Sequence, residues 1–184
     1  MDICTASSLD KKFILELYQK TFPLRERQEF SLIERRAAMG EMEILLIREE
    51  RKPIGFAILA YGEKLILLDY FAISEKYRGQ GLGSAALELI RALYDDRPFF
   101  LELRKPCDGA EAGVETDPEE TRLLKQCESF FLCNGMYVTG IDIEQGGVCM
   151  ELLSTQPELC FEECEQVYRS LFGANYRDIV KRVK

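Results

Sequence analysis

One stretch of the chain, residues 77–84, places three glycines, an arginine and a serine between an apolar segment and an amphipathic one. Glycines let the backbone turn several N–H groups toward one point, and the start of a following helix adds its positive dipole end. An arginine supplies a charged fork and a serine a hydroxyl donor. We therefore predict a phosphate site made by Arg78, Gly79, Gln80, Gly81, Leu82, Gly83 and Ser84. The alternative is a tight loop whose glycines serve packing alone.

Other phosphate motifs and several catalytic chemistries are excluded. The stretch lacks the Gly-Lys-Ser/Thr ending of a Walker loop, and its alternate glycines do not fit Gly-x-Gly-x-x-Gly. The sequence contains no histidine, which rules out Ser-His and Cys-His catalysis and the common metal triads, so we expect no metal. The seven cysteines are odd in number and form no Cys-x-x-Cys pair, and we expect reduced, mostly buried thiols.

The elements that position this stretch alternate in type along the chain. Residues 65–73 are almost continuously apolar, as a strand buried on both faces is, and a helix with an apolar side follows the glycines. Pattern and turn residues predict further strands at 1–6, 44–48, 53–61, 99–104, 136–144 and 148–153. Further helices are predicted after Ser7, at 29–39, at 118–134 and after Pro157. Residues 105–117 are predicted to be a loop and the basic tail 177–184 a solvated end.

These motifs resemble those of the GCN5-related N-acetyltransferase (GNAT) superfamily. Residues 78–83 match its Arg/Gln-x-x-Gly-x-Gly/Ala signature, and the element order agrees over most of the chain. Residues 130–136 are similar to the Phe-Tyr-x-x-x-Gly-Phe end of the family's later helix, and residues 100–103 to the Leu-Glu-Val strand between. Two further segments are most similar to uncharacterised bacterial members of the family: the sequence from residue 139 onward and the pair Phe22-Pro23.

The resemblance implies an α/β (α+β) fold in one domain, residues 1–184, with a C-terminal helical extension over 157–184. Its central mixed, mostly antiparallel sheet is flanked by helices and splayed in a V between two parallel strands, one ending at Ile73 and one starting at Phe99. Acetyl-CoA lies in this V as acyl donor, and residues 78–84 hold its pyrophosphate. The pantetheine amides bind backbone groups of Phe71, Ala72 and Ile73. A primary amine then attacks the thioester directly, without a covalent enzyme intermediate.

The reaction needs a base, because an amine with a pKa of roughly 10.4 must lose its proton. Some family members carry a glutamate at the position held here by Leu67. Asp69 lies two residues further and faces the same side of the strand, and Glu102 is central in the neighbouring strand. Either is a candidate catalytic base, and either is alternatively a polar residue on a solvated face. Glu26 is a third, weaker candidate.

The reaction also needs a proton for the leaving thiolate. Many family members have a tyrosine at the position of Phe131, and phenylalanine cannot donate a proton. Phe131 therefore remains only among the predicted cofactor-binding residues. Tyr70, Tyr137 or solvent are the alternatives, or the thiolate leaves unassisted. Cys133 is interpreted as packing, since nothing in the sequence lowers its pKa.

Composition narrows the choice of partners. A net charge of −8 argues against a nucleic-acid surface, and no apolar run reaches the roughly 20 residues that span a bilayer. No basic segment followed by an apolar one opens the sequence, so we expect a cytoplasmic protein. The resemblance implies a bacterial enzyme that acts on a small-molecule or peptide amine. A homodimer is left open. A CoA-binding or interaction module with weakened or lost catalysis is the alternative, and a nucleotide-binding structural domain ranks last.

Overall fold

The computed structural model describes residues 1–94, 97–105 and 117–183. Eight strands of these residues form one sheet in the order β1-β2-β3-β4-β5-β7-β6-β8. Every neighbouring pair is antiparallel except β4 and β5, which are parallel. The strands are β1 Asp2–Thr5, β2 Met42–Glu49, β3 Lys52–Tyr61, β4 Ile66–Ile73, β5 Phe99–Arg104, β6 Tyr137–Gln145, β7 Val148–Ser154 and β8 Val180–Val183. The helices are α1 Lys11–Thr21, α2 Phe30–Ala38, α3 Leu82–Leu93, α4 Pro118–Cys133 and α5 Phe161–Phe172.

Helices cover both faces of the sheet, which explains the continuous apolar run of β4. Side chains of β3, β4 and β5 alternate between two cores. One core contains buried residues of α1, α2 and α5, and we call this side the α1–α2–α5 face. The other contains buried residues of α3 and partly buried phenylalanines of α4, and we call it the α3–α4 face. The predicted mixed α/β architecture with an added C-terminal helix is confirmed.

The strands β4 and β5 separate soon after they meet. Their register contains two positions, Ile66 opposite Phe99 and Leu67 opposite Phe100. Beyond these, β4 continues to Ile73 and β5 to Arg104 without pairing, so the predicted V is present. A β-bulge accompanies the separation: on β3, Ile58 and Leu59 oppose Tyr70 and Leu68, which leaves Asp69 unopposed. A bulge bends its strand, and this one lies where β4 leaves β5.

The prediction of a solvated basic tail is wrong. Residues 180–183 form β8, which pairs antiparallel with residues 142–145 of β6. Val180 is 2% exposed and belongs to the α1–α2–α5 core, whereas the charged side chains of Lys181 and Arg182 point to solvent. In this strand only the side chain of Val180 is buried, and the basic side chains of Lys181 and Arg182 are exposed. Residues 106–116 of the predicted loop lie outside the described residues.

The cysteine expectation also needs correction. Cys127, Cys133 and Cys160 are exposed, so the described thiols are not mostly buried, and Cys149 is disulfide-bonded rather than reduced. Two of the exposed cysteines lie on α4, a helix that has no fully buried residue. Cys164 on α5 is buried as expected. Of the helices that the structure describes, none is long and apolar enough to cross a membrane.

Candidate active site

The glycine-rich stretch forms the turn from β4 into α3. Gly79 and Gly81 have φ of +72° and +77°, a region that glycine adopts without steric cost, and Gly81 caps α3. The first helical hydrogen bond runs from the Ala85 N–H to the Gly81 carbonyl over 3.1 Å. The N–H groups of residues 82–84 therefore precede the ladder and point out of the helix start, where the helix dipole favours an anion.

Arg78 ties the loop to the end of β4. Its Nε donates a 2.8 Å hydrogen bond to the Ile73 carbonyl, and the Gln80 side-chain amide donates a 2.9 Å bond to the Lys76 carbonyl. The first bond uses one of the five N–H groups of a guanidinium. Arg78 can therefore hold the loop in shape and still offer donors to a phosphate.

The free edge of β4 presents backbone groups beside this loop. The Ser74 N–H donates to the Ile54 carbonyl of β3 over 2.8 Å. Because alternate residues of an antiparallel strand point their backbone groups to the same neighbour, those of Ala72 also face β3. The backbone groups of Phe71 and Ile73 face the gap that β5 has left. Of the three residues predicted to bind pantetheine, Phe71 and Ile73 are thus oriented toward the V.

An aromatic cluster covers the V on the α3–α4 face. The ring of Phe71 stacks on Phe130 at 6.0 Å and meets Phe131 edge-on at 6.4 Å. A Cβ on Gly83 would come within 3.3 Å of the Phe130 ring, so α4 packs closely on the first turn of α3. Phe131 therefore lies beside the predicted donor site, but this cluster offers no hydroxyl to a thiolate.

Neither alternative tyrosine replaces the missing hydroxyl in that cluster. Tyr70 belongs to the α1–α2–α5 face, where its hydroxyl donates to the Glu26 carbonyl at 2.9 Å and accepts from the Gln28 N–H at 3.2 Å. Burial, followed by the charge of Asp69, raises the pKa of Tyr70 far above its ordinary value. Tyr137 is 49% exposed on β6.

The two candidate bases, Asp69 and Glu102, lie on the α1–α2–α5 face. Asp69 Oδ2 accepts a 3.2 Å hydrogen bond from Gln28 Nε2, and Gln28 Oε1 accepts a 2.6 Å bond from Arg36. Burial and then the nearby charge of Glu102 raise the pKa of Asp69 well above its ordinary value. Burial raises the pKa of Glu102 to about 7, and the nearby Tyr168 hydroxyl opposes that shift. Glu102 is therefore poised to exchange its proton near neutral pH, and Asp69 holds its proton more strongly than an exposed aspartate does.

The third candidate, Glu26, is occupied by an ion pair. Its Oε1 lies 2.7 Å from Arg104 Nε, and Arg104 Nη2 lies 2.6 Å from Glu120 of α4. Burial raises the pKa of Glu26, although Arg104 and Arg25 oppose the shift. Glu26 thus joins the turn after α1 to the end of β5 and is the least available of the three carboxylates. Leu67, at the position where some family members have glutamate, is 1% exposed in the core.

A model of the "Acetyltransferase (GNAT) family" matches residues 11–108, more than half of the chain. The chain belongs to the GNAT acetyltransferase family. The matched residues include β4, the glycine-rich loop, α3 and β5, which together build the V. No curated protein matches the sequence.

Solved GNAT structures share this fold at low sequence identity. A protein described as a GNAT-family acetyltransferase from Bacteroides thetaiotaomicron aligns with a TM-score of 0.73 at 19% identity, covering 95% of this chain and 99% of its own. An aminoglycoside 6'-N-acetyltransferase complexed with coenzyme A aligns with a TM-score of 0.60 at 16% identity, covering 87% of this chain and 100% of its own. The ribosomal-protein-S18-alanine N-acetyltransferase from Escherichia coli aligns with a TM-score of 0.56 at 18% identity, covering 86% of this chain and 95% of its own. These likenesses concern the fold.

The GNAT fold brings together predicted residues that are distant in sequence and adds others that the sequence did not reveal. Gln28, Arg104, Gln145 and Tyr168 surround the carboxylates, and they come from four separate segments with no shared local pattern. Beside the loop, on the α3–α4 side, a cavity of about 730 Å³ is lined by Ser84, Arg91, Arg97, Asn134 and Gln156, among others. In the described part of the chain, no three Cys, Asp or Glu side chains converge to hold a metal ion.

Proposed function

We propose that the protein is an N-acetyltransferase that moves an acetyl group from acetyl-CoA to a primary amine of a small molecule or peptide. The observation that carries the proposal is the gap between β4 and β5, which has a helix start at its open end and carboxyl groups on one face. The proposal takes residues 1–184 as one catalytic domain in the bacterial cytoplasm.

The donor fits the loop and the free edge of β4. The N–H groups of residues 82–84 and the guanidinium of Arg78 would hold the pyrophosphate, as helix starts hold anions. Backbone groups of Phe71 and Ile73 would bind the amides of the pantetheine arm. Phe131 would pack against the arm as an apolar wall. When bound, acetyl-CoA supplies the activated acetyl thioester.

The acceptor would approach from the opposite face, where the candidate bases lie. Asp69 and Glu102 lie across the sheet from the aromatic cluster, so an amine reaching the V from the α1–α2–α5 side meets carboxylates before it meets the thioester. A carboxylate there attracts a cationic acceptor, and once the ammonium has lost its first proton the carboxylate takes the next one as the nitrogen attacks. Two structural relatives have amine acceptors in their printed names, an aminoglycoside and a protein alanine. They support an amine acceptor and leave its size open.

The test has two stages. Isothermal titration with CoA and acetyl-CoA should give binding in the micromolar range, and absence of binding at high micromolar ligand refutes the proposal. Thiol release from acetyl-CoA is then followed across amino sugars, diamines and peptides with free N-termini. Steady release with any of them supports the enzyme. CoA binding without release across the panel instead supports a CoA-binding module, for which Phe131 and Leu67 are the motivating residues.

A further inference from the structure

We propose that Asp69 and Glu102 form a single proton-sharing pair, in which Glu102 takes the proton from the amine and Asp69 returns one to the departing thiolate. This inference rests on the proposed acetyl transfer and assigns the acid that Phe131 cannot provide. It makes both carboxyl groups catalytic residues with different tasks.

The backbone places the two groups at matching positions across the V. Asp69 is two residues beyond Leu67, and Glu102 is two residues beyond Phe100, and Leu67 and Phe100 form the last register pair between the strands. The bulge leaves Asp69 without an opposing residue on β3. Asp69 and its neighbour Tyr70 both reach Gln28 on the α1–α2–α5 face. The two side chains thus lie on the same face of the sheet, one on each side of the V, and the charge of Glu102 acts on Asp69.

The positive charge of Arg36 lowers the pKa of Asp69 without forming an ion pair with it. Within the described residues, neither carboxyl group forms a salt bridge, and Arg36 reaches Asp69 only through Gln28. With its nitrogen turned toward Glu102, the Gln145 amide lies 3.0 and 3.1 Å from the two carboxylate oxygens. The charged and titratable groups facing the pair are Arg36 of α2, Tyr18 of α1, Tyr70 of β4, and Cys164 and Tyr168 of α5.

Two carboxyl groups that are coupled through their charges and have one neutral amide each cannot both ionise cheaply, so they hold one proton between them. The structure indicates which group keeps it. The charge of Glu102 contributes to raising the pKa of Asp69, whereas Tyr168 stabilises the ionised form of Glu102. Glu102 therefore ionises first, and Asp69 keeps its proton after Glu102 has lost its own.

The proton transfers of the reaction balance when this pair is the only acid and base. The ammonium form of the acceptor first loses one proton to solvent. As the N–C bond forms, the nitrogen gives its next proton to the Glu102 carboxylate, and as the C–S bond breaks, the sulfur takes the proton that Asp69 held. The new proton on Glu102 then passes to Asp69. The pair returns to its starting state, and no other acid or base is consumed.

The first test needs no substrate. Protein labelled with ¹³C at the Asp and Glu carboxyl carbons is titrated by NMR, and the two signals are assigned by their loss in Asp69→Asn and Glu102→Gln. We expect Asp69 to remain protonated at pH 7 in the wild type, and its pKa to fall by at least one unit in Glu102→Gln. Two carboxylates that are both ionised at pH 7, or an Asp69 pKa that Glu102→Gln leaves unchanged, would overturn the proposal. If a variant fails to fold, through-bond correlation of each carboxyl carbon to its own backbone assigns the two signals in the wild type, and the wild-type titration then decides the first point.

The second test uses the position of the missing tyrosine. With the best amine of the panel, Asp69→Asn should slow thiol release by roughly 100-fold, a usual loss for a general acid. Adding Phe131→Tyr should recover at least tenfold in Asp69→Asn and nothing in Glu102→Gln, because tyrosine replaces the acid but not the base. Recovery in both variants or in neither contradicts the assignment. Absence of wild-type release from the whole panel would defeat the proposed function instead, and the NMR titration would still judge the pair.

Discussion

Replacing Gly81 by glutamate should weaken CoA binding by roughly two orders of magnitude without unfolding the protein. Gly81 has a φ of +77°, and a Cβ there would meet no heavy atom within 4 Å, so the side chain has room. Gly40 offers a matched control on α2's side of the sheet, since its φ is +76° and its Cβ would be equally free. Each substitution should cost about 1–2 kcal/mol of folding free energy through the left-handed backbone. That is small beside the roughly 5–15 kcal/mol of a typical domain.

The effect on affinity should differ greatly between the two sites. A carboxylate on residue 81 would lie about 5 Å from a phosphate held at the α3 start, which costs about 3 kcal/mol at an effective dielectric constant of 20. This corresponds to a loss of roughly two orders of magnitude in CoA affinity. Gly81→Ala carries the backbone cost without the charge and should weaken binding less than about tenfold.

We compare the wild type, Gly81→Glu, Gly81→Ala and Gly40→Glu by isothermal titration with CoA and by thermal denaturation. Similar melting temperatures for Gly81→Glu and Gly40→Glu, with CoA binding strongly weakened only in Gly81→Glu, support the site. Wild-type affinity in Gly81→Glu refutes the placement of the pyrophosphate. Equal loss of binding in Gly40→Glu would show that the effect comes from general damage.

Three further predictions concern stability and the loop. Between pH 4.5 and 7 the folded state holds a proton on Glu102 that the unfolded state releases, so the unfolding free energy falls as pH rises through this window. In urea denaturation, the decrease between pH 5 and pH 8 should be about 3 kcal/mol smaller in Glu102→Gln than in the wild type. Arg78→Lys removes the bond to the Ile73 carbonyl and should cost about 1 kcal/mol in chemical denaturation, with weaker CoA binding by titration. Val180→Asp should lower the unfolding free energy by about 3 kcal/mol or more, whereas Val183→Asp, at a 43% exposed position, should stay within about 1 kcal/mol; equal effects would argue against the burial of β8.

The local sequence was sufficient to predict the elements around the V. The apolar run of β4, the glycines after it and the apolar side of α3 each carry their signal within about a dozen residues, which is the range of strand and helix periodicity. The signature at residues 78–83 then indicated the family, and with it the parallel pair β4 and β5. Those predictions needed no knowledge of distant contacts.

The sequence did not predict the features that depend on contacts between residues far apart in the chain. The strand β8 has one buried valine among charged residues, and its pairing depends on β6, about 40 residues earlier. The bulge at Asp69 leaves no mark in an apolar run, because it arises from how β3 and β4 align. Asp69 and Glu102 were found as candidates, but Tyr168 and Gln145, which set their environment, come from α5 and β6 and have no recognisable spacing.

The two halves of the sheet, β1–β4 and β5–β8, meet along hydrogen-bonded edges at only two register positions in the described chain. An occupant of the gap would touch both halves and act as a reversible cross-link between them. Free CoA at about 100 times its dissociation constant would add about 2.7 kcal/mol to the unfolding free energy. Cellular proteases degrade the unfolded form, so the abundance of this protein would rise and fall with the supply of CoA itself.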